Sequence, residues 1–109
     1  MTTDTGIIAF LNARLDEDEE YAKQLLVNPA LRDISGMLGL SRRLLREVEA
    51  KRRIVDDYRI TVNAVRNVTG TALDTHGYHS MRGGRDALES CVALLAAIYS
   101  DHPNYRQDW

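Results

Sequence analysis

His76 and His79 stand three positions apart, the spacing of a zinc-ligand pair, with Cys91 or His102 available to complete a tetrahedron. Against this, Cys91 falls within an apolar helical pattern, where a free cysteine is ordinarily core. The histidine pair lies in a glycine-containing stretch that reads as solvated loop. Glu17 and Glu20 form a Glu-x-x-Glu pair of the kind that gathers magnesium in helical nucleotide pyrophosphatases. The Glu-x-x-Asp that chemistry requires on a second helix is missing. Di-iron bundles need Glu-x-x-His on two helices, and the chain has none. Ser41 and Ser80 have no base and orienting group in any recognisable set, so nucleophilic catalysis is not indicated. The residues therefore assign no catalytic, cofactor-binding or metal-binding role, and the chain reads as a non-enzyme.

Residues 34–48, ISGMLGLSRRLLREV, have the pattern of a helix-turn-helix. Ile34 and Leu38 would pack the first helix, Gly39 would make the turn, and Leu45 and Val48 would pack the second helix. Ser41 would cap a recognition helix over residues 41–48, with Arg42, Arg43 and Arg46 reaching phosphates and guanine edges of double-stranded DNA. Glu47 and Glu49 bring repulsive charge near that surface, and an LGLS corner also occurs between helices that never touch DNA. At the far end, Tyr105, Arg106 and Trp109 have two readings. They cover the open end of a helical bundle, since aromatics bury a large area each, or they form an aromatic and arginine patch that anchors a partner.

The elements that must position these residues are helical. Period-two alternation is nearly absent, and the two prolines, Pro29 and Pro103, sit where helices begin or end. Ile8, Leu11, Leu15, Ala22 and Leu26 line one face of a first helix from residue 4 or 5 to 27. Asn28 can cap a new turn with Pro29 in its first position, giving a short helix over residues 30–38 that Gly39 closes. The longest helix then runs from residue 41 to 67. Leu44, Val48, Val55, Tyr58, Val62 and Val65 form a heptad seam along it, broken at Lys51. Residues 71–84 read as loop. A last helix over 85–99 turns Ala87, Leu88, Cys91, Leu94, Leu95 and Ile98 inward.

A chain of 109 residues with 44% apolar and 28% charged residues is one domain with room for one core. Its net charge of −2 excludes a uniformly basic nucleic-acid coat. A single cysteine excludes an internal disulfide. No stretch approaches the roughly 20 apolar residues of a membrane span or the core of a signal peptide, which makes the cytoplasm the expected compartment. Charge is unevenly spread: residues 1–31 carry −4, residues 32–66 carry +4 and residues 67–109 carry −2. If the two long helices fold back about residues 29–41, position 18 lies opposite position 52. The acidic run at residues 16–20 then faces Lys51, Arg52 and Arg53, an arrangement that favours register more than stability.

Three blocks, AFLNARLDEDEE (residues 9–20), LLREVEAKRRIVDDY (residues 44–58) and YSDHPNYRQDW (residues 99–109), resemble a family of small uncharacterised proteins from actinobacteria and their phages. An acidic first helix, a REVEAKRRIVD-like helix and a YxDHPxYRxxW tail recur there in this order. The resemblance carries no known activity or ligand, and it implies a compact fold and an actinobacterial or phage source. Here residues 25–43 replace a longer segment, containing Trp and Gly, that members of that family usually have. The expectation is a single all-α domain over residues 1–109: a long antiparallel helical hairpin with a short linking helix and a third packing helix. Its leading function is a non-enzymatic interaction module, phage-encoded or prophage-derived, docking to a host or phage protein. A homodimer is a further expectation, because the heptad seam exceeds what one small helix covers. The alternative is the DNA-binding regulator built on residues 41–48.

Overall fold

A computed structural model describes residues 3–32, 34–68 and 75–109, and side chains over 5–31, 34–68 and 77–109. Among the described residues there is no strand, and four helices follow one another: α1 (Thr3–Val27), α2 (Pro29–Arg32), α3 (Met37–Val68) and α4 (Thr75–Ala97). The architecture is all-α. No helix is long and apolar enough to cross a membrane among the described residues.

α1 and α3 form the antiparallel hairpin, and α4 packs back mainly on α3 with a smaller contact to α1. The link between the two long helices is shorter than the spacing of its residues suggests. Asn28 caps α2 as expected, its side-chain oxygen accepting from the Ala30 N–H at 2.9 Å. The chain then turns at Gly36, which takes the left-handed conformation (φ 83°). α3 starts at once with Met37, so Gly39 and Ser41 lie inside a continuous helix. The corner expected at Gly39 is helical. Ser41 is not a cap: it is fully buried, and its hydroxyl donates back to the Met37 carbonyl at 3.0 Å.

The heptad seam of α3 is the axis of the core. Val48, Val55, Tyr58, Val62 and Val65 are buried, and Lys51 interrupts the row as a half-buried residue. From α1, Leu11 and Leu15 complete the core, with Ile7 and Phe10 beside them. α4 begins ten residues earlier than its apolar pattern indicates and carries Gly83 and Gly84 within it. Residues 71–74 of the expected loop lie outside the described ones.

The buried face of α4 also differs from the expected one. Val92 and Ala96 are the residues fully enclosed, with Leu88 and Leu95 packed beside them. Ala87, Cys91, Leu94 and Ile98 point away from the core. Two apolar rows run along α4, about 115° apart, and the groove between α1 and α3 accepts only one of them.

The molecule is elongated, 60 × 26 × 16 Å, with a radius of gyration of 17.7 Å where a compact chain of this size has about 13 Å. α4 ends beside the middle of the hairpin: Tyr99 hydrogen-bonds Asp18, and the Lys51 ammonium lies 5.8 Å from its ring centre. Beyond that level α1 and α3 continue as a two-helix arm closed by α2 and the Gly36 turn.

Candidate interaction surface

A charge contact spans the hairpin. Arg52 Nη2 donates to Asp16 Oδ1 and to Glu19 Oε2, both at 2.9 Å. The expected opposition of positions 18 and 52 is therefore met to within one helical turn. The Asp16 bond, with the neighbouring charges of Asp16 and Glu19, holds the Arg52 guanidinium above its ordinary pKa against the opposing effect of burial. Of the other two bases, Lys51 turns to the Tyr99 ring and Arg53 is exposed. Burial first, and then the adjacent Asp18 carboxylate, push the Tyr99 phenol well above its ordinary value, so it stays a donor.

The tail folds onto the base of the bundle. Phe10 is the hub, with the Trp109 ring at 4.9 Å, Tyr105 at 6.1 Å and Tyr99 at 6.3 Å, centre to centre. Tyr105 and Trp109 are half-buried and taken up by this packing, which is the covering role. Arg106 is exposed and spends its guanidinium on Asp108 at 2.8 Å. A shallow depression of about 350 Å³ lies between α1 and the tail, bordered by Phe10, Arg14, Asn104, Arg106 and Trp109.

Arg14 is the polar residue that spacing alone misses. Only 8% exposed, it lies over the Phe10 ring, bridges Glu17 at 3.0 Å and contacts His102 Nε2. Among the described residues its Nε has no hydrogen-bond partner. The signal was present in the row Ile7, Leu11, Arg14 and Leu15, whose spacing places a charged residue on the buried face. His102 is thereby held between α1 and the tail, where its Nδ1 accepts from the Asn104 N–H at 3.0 Å.

The remaining candidates are not assembled into a site. His79 and Cys91 are exposed, and the side chain of His76 lies outside the described ones. No three His, Cys, Asp or Glu side chains converge on a metal position among the described residues. Arg42, Arg43 and Arg46 are all exposed on the first turns of α3, and Arg43 pairs with Glu47 at 3.3 Å. Ser41, the fourth member of that set, is buried away from them.

The arm that carries these arginines also gathers exposed apolar side chains. Of the eight large hydrophobic residues exposed among the described ones, Tyr21, Val27, Ile34, Leu38 and Leu40 lie at the end of the hairpin beyond α4. Two helices have only one shared face, so among the described residues neither neighbour nor cap covers the rest.

This helical frame is matched over residues 25–109 by the model of a family of unknown function. The chain belongs to that family, DUF6221. The DUF6221 match takes in the last residues of α1, all of α2, α3 and α4, and the tail. Two of the three sequence blocks, residues 44–58 and 99–109, lie inside it, while the acidic block at residues 9–20 lies outside. No curated protein and no solved structure matches the chain.

Proposed function

We propose that this DUF6221 protein is a non-enzymatic interaction module that docks to another protein through its two-helix arm. The observation that carries this reading is the concentration of exposed apolar side chains at the arm's end, opposite the well-packed base. Exposed apolar area of this kind, rimmed by charge, characterises protein-binding surfaces. With the actinobacterial or phage source that the sequence resemblance implies, the partner is a host or phage protein met in the cytoplasm. The test is a pull-down from an actinobacterial lysate with the wild-type chain and with Leu38→Asp/Leu40→Asp, the helicity of both checked by circular dichroism. Proteins held by the wild type and released by the folded double variant support the arm. An identical set retained by both refutes it.

A second reading, DNA binding, is favoured by the exposed Arg42, Arg43 and Arg46 on the same arm. It no longer uses a helix-turn-helix corner, because α3 is continuous through Gly39. Anisotropy of a labelled duplex at about 50 and 200 mM salt distinguishes it, since phosphate contacts give a steep salt slope. A slope that vanishes when the three arginines become alanine supports this reading; absence of binding at low salt removes it.

A further inference from the structure

The outward row of α4 is apolar where a solvent-facing helix row is normally charged. Leu94 is 72% exposed and Ile98 61%, and Ala87 and Cys91 continue the row at helical spacing. Gly83 and Gly84 extend it toward the helix start. The charged residues of α4, Arg82, Arg85, Asp86 and Glu89, all fall off this row. A Cβ added at Gly83 or Gly84 would meet nothing within 4 Å. Among the described residues, therefore, no packing contact requires two consecutive glycines inside this helix, although each disfavours it.

We propose that this row is the contact between two copies of the chain, paired antiparallel through α4. Three features select a second copy as the occupant. First, the row is graded, with small residues in its first half and large ones in its second. An antiparallel pair sets Ile98 against the partner's Ala87 and Leu94 against the partner's Cys91, so each layer joins one large side chain to one small. Gly83 and Gly84 then lie opposite the partner's residues 101–102, just past the end of its α4, and leave room for the chain there. Second, a two-fold axis brings a surface against its own image, and a charge-free row is the kind that meets no like-charge repulsion there. Third, the area suits a weak dimer. A row of about 16 residues is roughly 24 Å long and, at a helix diameter of about 10–12 Å, covers a few hundred Å² per copy. This is below the roughly 800 Å² per partner of a standard interface, the size class of weak, transient contacts. The contact is separate from the arm and does not depend on the docking reading.

In this pairing the axis passes between Cys91 and Leu94, which brings the two Cys91 residues within one helical turn of each other along it. The experiment is sedimentation of the full chain over about 5–500 μM, reduced, with parallel crosslinking by a short bis-maleimide. The expected result is a monomer–dimer equilibrium and a crosslinked product of twice 12.3 kDa through Cys91. Leu94→Glu is expected to weaken association at least tenfold and to remove the crosslink. Because Leu94 is exposed, its helicity should be unchanged. Gly84→Leu provides a control of opposite sign: it raises the melting temperature of the monomer, by filling open space with a better helix former, while it weakens the dimer. A monomer at every concentration overturns the proposal, as does a dimer that survives Leu94→Glu and Gly84→Leu.

Discussion

Tyr99 donates its phenolic proton to Asp18 at 2.6 Å, across 81 positions of sequence. The bond pins the end of α4 to the middle of α1, at the level where the three-helix base gives way to the arm. Tyr99→Phe should cost about 1 kcal/mol in urea unfolding, the usual net worth of such a bond. It also carries a pH signature. The folded chain holds the phenol protonated, with its pKa raised above the unfolded value of about 10. The stabilisation is therefore complete below about pH 10 and is lost as pH rises from there toward the folded value, because only the unfolded chain releases the proton. The wild-type advantage over Tyr99→Phe should thus shrink above about pH 10. An advantage constant from pH 8 to 11 would disconnect Tyr99 from Asp18.

Arg52 should dominate the electrostatics of the hairpin. It alone of the basic triplet meets two carboxylates, Asp16 and Glu19. Arg52→Glu is expected to lower the melting temperature markedly at about 50 mM salt and less at about 500 mM, as screening weakens the repulsion. Arg53→Glu, at an exposed position, should change it little at either. Equal effects of the two reversals would mean that diffuse charge, and not this contact, sets the register.

Trp109 should report the packing of the tail. Its ring lies 4.9 Å from Phe10 and 5.6 Å from Tyr105, so its fluorescence is expected to the blue of free indole and to shift red on unfolding. Trp109→Ala should cost about 2 kcal/mol, less than the 3–5 of a fully buried aromatic because the ring is half-exposed. A red-shifted native spectrum would place the ring in water.

The two faces of α4 should respond oppositely to truncation. Val92 is fully buried and Leu94 is 72% exposed. Val92→Ala should cost about 1–3 kcal/mol, whereas Leu94→Ala should stay within about 0.5 kcal/mol in the dilute monomer. The reverse order would restore the face that spacing alone indicates.

Much of this fold follows from local chemistry in the chain. The α3 seam through Val48, Val55, Tyr58, Val62 and Val65 specifies a long helix with one packed side, because its period is that of the helix itself. Acids at 16–20 and bases at 51–53 specify an antiparallel hairpin and its register, because opposite charges attract wherever the backbone brings them level. Asn28-Pro29 specifies the start of α2 for stereochemical reasons that need no neighbour. Tertiary structure decided the rest. Gly39, Gly83 and Gly84 look like helix ends, yet about 1 kcal/mol each is a weak stop signal when the helix is embedded in packing contacts. Gly36 makes the turn because it is the position where the chain must take a positive φ to reverse. α4 carries two apolar rows with the same period, and periodicity cannot rank them; the shape of the α1–α3 groove buried Val92 and Ala96 and left Leu94 and Ile98 outside. Arg14 is buried for the same reason: Phe10 stands one turn before it on α1, and the folded tail delivers His102 to its other side from a position adjacent only in three dimensions.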